Sequence, residues 1–364
     1  MRRDFIYLLL LPIAMLLWGC DVHEFPDEPE PGPGPAEKSR IEVSVQFKNT
    51  DWQHLTTVEK DVESGGSRTD VHALRYVVNI YKDEKRSRVP SYVPIYSNVI
   101  YTAEPVDLAD VTRNIPVEIE PGEYSAVVWV DYTDAEHPLD DLYYTTDDFT
   151  YISFAGTNYI ANTRYRECFR GATDFTLTDE GKVVDTQSRS ELETVPVTCE
   201  RPLGRFEFIT TDLEEFMTRW GISPQTDGTE PAAEGDEGTR APNLSDYQIR
   251  FRYVSYMPDT YNANTDKPID SRLGAYFYGR LVLLNEHEAS LGFDHVFVNH
   301  VNASVIVSID ILDREGNLIS SSDPVTLPLK RNHHTIVKGK FLTAQSSGSM
   351  GIDPGFDGEF NIEL

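Results

Sequence analysis

Three sets of side chains in this 364-residue chain have types and spacing that could do chemistry. The first is a single thiol: Cys20 follows Leu17-Trp18-Gly19 directly, at the end of an apolar run, where a sulfur nucleophile can accept a lipid. The second is carboxylate oxygen. Asp131, Asp134, Glu136, Asp140, Asp141, Asp147 and Asp148 crowd one short stretch, and oxygen-rich loops suit calcium, although a D-x-D-x-D-G spacing is absent. The third is imidazole and thiol. His333 and His334 are adjacent, and His295 and His300 are five apart; in strands both pairs point to opposite faces and cannot share a metal. They read as structural or solvent-facing. Cys168 and Cys199 sit in no C-x-x-C or zinc spacing and are either a disulfide or two buried thiols. No G-x-S-x-G, H-E-x-x-H or P-loop occurs. The chain therefore reads as a non-enzyme with no cofactor, and calcium is its one candidate ion.

The surroundings of Cys20 give its thiol a role. Arg2 and Arg3 precede an apolar run over residues 5–18, shorter than the ~20 residues that span a bilayer. Residues 1–19 are thus a secretory signal peptide. Leu17 and Gly19 before Cys20 resemble a bacterial lipobox, in which the Cys takes diacylglycerol and becomes the first mature residue. Residues 20–39 then form a tether: 21–36 read DVHEFPDEPEPGPGPA, acidic and Pro-rich, too poor in apolar surface to fold and stiffened toward polyproline. Acids just after a lipidated Cys resemble the export signals of surface lipoproteins in Bacteroidales-type bacteria. The expected place is the outer membrane, lipid-anchored, on the cell surface or on the membrane's periplasmic face.

Beyond the tether the chain is built from strands. Sixty Asp and Glu against 32 Lys and Arg give a formal charge of −28, which repels nucleic acid and excludes it as a partner. Hydrophobic residues make up 40%, enough for a full core, and the length suggests two domains. Ile41, Val43, Val45 and Phe47 alternate with polar residues, as do Leu74, Tyr76, Val78 and Ile80, the period of a half-buried strand. Pro121-Gly122 turns 117–119 back into 124–130, with Trp129 on the opposite face. Further strands are expected at 92–101, 151–154, 175–177, 194–199, 205–209, 247–256, 275–284, 294–299, 303–312, 317–320 and 335–342. Gly316 serves a hairpin loop over 313–317. One helix follows a capping box, Thr211 with Glu214; it carries Leu213, Phe216, Met217 and Trp220 on one face and stops at Gly221. Residues 222–243 and 61–70 read as disordered loops. The pattern is all-β: two tandem β-sandwiches over 40–200 and 201–364, with one short helix in the second.

Several segments, in order, resemble the fimbrillin-like lipoproteins of Bacteroidales, the subunits and anchors of type V pili. The carriers are the lipobox with its acidic tether, Glu120-Pro-Gly-Glu-Tyr124 leading into Ala126–Asp131, Tyr165-Arg-Glu-Cys-Phe-Arg-Gly-Ala172, and Arg201-Pro-Leu-Gly-Arg-Phe-Glu-Phe208. Leu329-Lys-Arg-Asn-His-His-Thr-Ile-Val-Lys-Gly-Lys-Phe-Leu-Thr343 and the tail from Gly351 complete the set. The resemblance covers most of the mature chain. It implies transthyretin-like, Ig-like sandwiches, other pilus subunits as partners, assembly by β-strand exchange, a role in adhesion and no enzymatic activity. A sandwich lacking one edge strand exposes unpaired amides and an apolar groove, and a neighbour's strand satisfies both. In shaft subunits of the family a protease opens that groove by cutting after an Arg that follows the first strand. Arg68, in Gly65-Gly66-Ser67-Arg68-Thr69, is the matching position; anchor-type relatives keep the strand. Phe356, Phe360 and Ile362 alternate with Asp357, Glu359 and Asn361, so the tail is either this chain's own last strand or one given to a neighbour. The alternative is a surface glycan-binding lipoprotein of a polysaccharide uptake system. That reading requires exposed aromatic platforms, for which Trp52, Trp129, Trp220 and Tyr143-Tyr144 are the candidates.

Overall fold

Alternating β-branched and aromatic residues give strands nearly everywhere that the computed structural model describes the chain: residues 37–48, 72–82, 92–103, 108–156, 159–222, 243–299, 302–344 and 360–363. The first half supplies β1 (Ser39–Phe47), β2 (His72–Lys82), β3 (Tyr96–Ala103), β4 (Thr112–Ile119), β5 (Gly122–Asp134), β6 (Tyr144–Thr145), β7 (Ile152–Phe154), β8 (Cys168–Leu177), β9 (Val183–Asp185), β10 (Glu191–Leu192) and β11 (Val195–Cys199). They form a small sheet, β11-β1-β4, facing a larger one, β10-β9-β8-β5-β2-β3. Ile41, Val43 and Val45 meet Leu74, Tyr76 and Val128 in the core between them. β1 runs parallel to β11 and antiparallel to β4, so it is the middle strand of its sheet.

The second half supplies β12 (Leu203–Thr210), α1 (Leu213–Trp220), β13 (Gln248–Tyr253), β14 (Met257–Asn262), β15 (Lys267–Arg272), β16 (Tyr276–Gly279), β17 (Val282–Leu283), β18 (Ala289–Phe297), β19 (Asn302–Leu312), β20 (Leu318–Ser321), β21 (Val325–Lys330), β22 (His334–Gly339) and β23 (Phe360–Glu363). Sheet β17-β18-β12-β22-β23 packs over sheet β16-β13-β19-β20, in which β21 also pairs with β19. Phe206, Phe208, Phe251 and Val307 lie in the core they share. The fold is all-β with one short α-helix among the described residues.

The expected boundary near residue 200 falls between β11 and β12. A fifth sheet, β15-β14-β7-β6, draws strands from both sides of it, and Ser39–Leu364 cluster as one compact unit. Phe297 of β18 is the hub: its ring lies 5.0 Å from Tyr261, 5.4 Å from Phe154, 5.8 Å from Tyr144 and 6.5 Å from Trp129. Burying a side chain of that size contributes roughly 1.5–3 kcal/mol.

Three local expectations are corrected. β2 and β5 are not half-buried. Leu74, Tyr76 and Val78 face the first core, while Val77 and Tyr81 face the second together with Val127 and Trp129. The second face read as solvent-facing because it also carries Arg75, Asn79 and Asp131, all buried. Pro121-Gly122 does not close a hairpin. β4 pairs with β1 and β5 with β2 and β8, so the turn is a corner between sheets, pinned by Tyr124 Oη donating to the Glu120 carbonyl at 2.7 Å. The capping box does not form either. Asp212 is the N-cap of α1 and makes no side-chain cap bond; its carboxylate instead accepts from the Thr343 amide at 2.8 Å and the Thr343 hydroxyl at 2.7 Å. The stop holds as expected, with Gly221 in the left-handed region at φ 61°.

Candidate functional site

The expected interaction residues at the tail fall on an edge. β22 lies between β12 and β23 and is parallel to both. Thr335 pairs with Phe360, Ile336 with Asn361, Val337 with Ile362 and Lys338 with Glu363. β23 is the last strand of its sheet and pairs only with β22 among the described residues. Phe360 and Ile362 are therefore on a four-residue outermost strand; Phe356 lies outside the described residues, as do Cys20, Arg68, Trp52, His300 and positions 223–242 of the expected loop.

Three of the sequence segments that carry the family resemblance, 165–172, 201–208 and 329–343, converge. Arg166, buried, ion-pairs with Asp294 of β18. Tyr159 and Tyr253 each donate to the other Asp294 oxygen at 2.6 Å, and the Arg166 guanidinium lies over the Phe154 ring at 4.2 Å. Arg201 holds Glu167 through Nε at 3.0 Å and Nη2 at 2.8 Å, and reaches Asn332 through Nη1 at 3.0 Å. Arg331 forks onto Asp266 at 2.8 and 2.9 Å, where Tyr261 also donates at 2.6 Å. Burial opposes ionisation of Asp266, but Arg331, Arg170 and Tyr261 outweigh it and hold its pKa below the usual carboxylate value. Each carboxylate is thus spent on a guanidinium. The chemistry available is clamping: buried and half-buried ion pairs lock β18 to the first half through Arg166, and the loop before β22 to it through Arg201 with Glu167 and through Asp266 with Arg170.

Beside the clamp, three basic side chains line one rung. Arg205 of β12 stands opposite His295 of β18 and opposite His334 of β22, and all three are buried. Glu207 faces them, 3.3 Å from His334 Nε2 and 3.5 Å from Arg205, and accepts from the Ser290 hydroxyl at 2.6 Å. Burial and the neighbouring Arg205, Arg166 and Arg201 push His295 well below the ordinary imidazole pKa. His334 is lowered too, by burial first, with Glu207 opposing.

The remaining candidates separate. Of the acidic run, Asp131 and Asp141 do come together, but on Arg75: its Nε and Nη2 reach Asp131 at 2.9 and 2.8 Å, its Nη1 reaches Asp141 at 2.9 Å. Asp134 and Asp148 accept from the backbone amides of Glu136 and Thr150. Among the described residues no three His, Cys, Asp or Glu gather as metal ligands. Cys168 and Cys199 are both free thiols and face different cores; burial raises Cys199 to about 12 and Cys168 well above the usual thiol value. His333 Nδ1 lies 2.8 Å from the Arg331 carbonyl. Trp129 and Tyr144 are buried, and Trp220 is 40% exposed. No described helix is long and apolar enough to cross a membrane. Sequence reasoning missed Asp294. It opens the expected strand over 294–299, and only the register with β12 places it opposite Phe206 on the core face.

A profile described as a family of unknown function (DUF6562) matches residues 33–364. Among solved structures, the fimbrial anchor protein Mfa2 from Porphyromonas gingivalis is similar at 11% identity and a TM-score of 0.38, over 78% of this chain and 81% of that one. A fimbrial assembly protein from Parabacteroides distasonis is similar at 11% identity and a TM-score of 0.34, over 83% and 91%. No curated protein sequence matches the chain.

Proposed function

The chain belongs to DUF6562, a family of unknown function, and from its strand order we propose that it is a fimbrial subunit or anchor assembling by β-strand exchange in adhesion. Its lipid sits on Cys20, and its place is the outer surface of the outer membrane. The observation that carries the reading is the position of β1. It is the middle strand of β11-β1-β4, and Arg68 lies between it and β2. Cutting after Arg68 would release β1 and leave a slot between β11 and β4 with two unpaired edges and the sockets of Ile41, Val43 and Val45. Such a slot favours an incoming strand strongly, since backbone amides and apolar surface are satisfied together. β23 supports the other half of the exchange: an outermost strand of four residues is the element that costs least to lend. An anchor would keep β1 and only lend.

Membrane fractions run on denaturing gels without boiling test this. The uncut wild-type chain is expected in the detergent phase, and assembled chains in a ladder of heat-sensitive oligomers. Cys20→Ala should leave the detergent phase, and deletion of residues 345–364 should abolish the ladder while the monomer remains folded. A chain that stays monomeric, or a ladder indifferent to the deletion, contradicts the proposal.

A further inference from the structure

On the outer face of sheet β16-β13-β19-β20, opposite the face that carries Phe251 and Tyr253 into the core, two tyrosines and two arginines form an open patch. Tyr276 and Tyr278 alternate outward on β16 around buried Phe277 and are 54% and 48% exposed. Their rings stand 5.9 Å apart at 87°, one presenting a face and the other an edge. Arg252 lies directly opposite Tyr276, and Arg250 opposite Tyr278. Across the next strand, Asp310 stands opposite Arg250. The Asp310 carboxylate, 2% exposed, gathers both guanidinium groups: Arg250 through Nε at 3.1 Å and Nη2 at 2.7 Å, Arg252 through Nε at 2.8 Å and Nη2 at 3.1 Å. Ser321 adds a hydroxyl at 2.8 Å. One carboxylate thus fixes two arginines and turns the Nη1 side of each away from itself. Asp310 is the sole acid in these rungs, so the patch is locally cationic in a chain of formal charge −28.

We infer that this face binds an anionic polysaccharide, a glycan bearing carboxylate or sulfate. The pre-positioned guanidinium groups suit a planar or tetrahedral oxyanion. The exposed rings suit the C–H face of a pyranose, a surface that is apolar on its body and polar at its rim, as tyrosine itself is. The many carboxylates elsewhere on the chain repel polyanions, which confines such a ligand to the patch. An acidic peptide would use the arginines and leave the two rings unexplained. The inference is independent of strand exchange.

Affinity electrophoresis of the full chain at ~0.15 M salt, where unspecific surface attraction is screened, tests it. Gels containing polygalacturonate and dextran sulfate should retard the protein, and neutral dextran should not. Tyr276→Ala with Tyr278→Ala should weaken retention at least tenfold, and Arg252→Gln should do the same, both at unchanged melting temperature. Retention by the tyrosine variant equal to wild type overturns the proposal, as does equal retention on poly-glutamate, which would mark a mere polyanion patch. No retardation by either charged polysaccharide overturns it as well.

Discussion

Asp294→Ala is expected to destabilise the folded chain by roughly 3–5 kcal/mol, the cost of leaving a buried cation without its partner. Arg166 is 2% exposed in its side chain and Asp294 0%, so water cannot replace the lost charge. Tyr159 and Tyr253 would lose their shared acceptor at the same time. The loss falls where the two halves meet, so urea unfolding should show an earlier midpoint for the whole chain. Pairing Asp294→Leu with Arg166→Met should restore part of the stability, because no buried charge is left unpaired, although the Tyr159 and Tyr253 hydroxyls still lose their shared acceptor. A single variant within about 1 kcal/mol of wild type, the scale of an exposed pair, would contradict the clamp.

Acidification from pH 7 to pH 5 is expected to lower the melting temperature before the carboxylates titrate. Burial holds His295 and His334 below the ordinary imidazole pKa in the folded chain, with Arg205 between them on the same rung. The unfolded chain takes up a proton at each near pH ~6.5; in the folded chain both rings take it up only at lower pH, His295 the more so. Their stability is therefore present above that pH and is lost as pH falls through it, at up to ~1.4 kcal/mol per pH unit for each ring. His295→Gln should flatten the slope by up to one proton, and His334→Gln should flatten it in the same direction. A melting temperature level between pH 7 and pH 5 would contradict the buried neutral rings.

The strands were legible where one face meets solvent. β1, β4 and β19, the α1 stop at Gly221 and the turn at Gly316, with φ 83°, all follow from period and turn chemistry. The sequence hid what depends on distant partners. β21 carries Pro328, which argues against a strand, yet it pairs on one side with β19 and tolerates the missing donor there. β14 and β15 are not among the expected strands, because Pro258, Asp259 and Pro268 break their alternation. The clamp was half legible. Arg166, Glu167, Arg201 and Arg331 stood in motifs that marked them, but nothing local told which acids they meet, since Asp294 lies far along the chain. Tyr276 and Tyr278 are invisible as a patch until β13 sets Arg250 and Arg252 beside them.

A disulfide staple between β22 and β23 tests the central claim most directly. Ile336 and Asn361 are register partners, and neighbouring strands at ~4.8 Å lie within reach of a disulfide. A chain carrying Ile336→Cys and Asn361→Cys, oxidised as a monomer, should keep its last strand at home and fail to form oligomers on unboiled gels. Reduction should release the strand and restore the ladder. An oxidised chain that assembles as well as the reduced one would show that the C-terminal strand is not what passes between subunits.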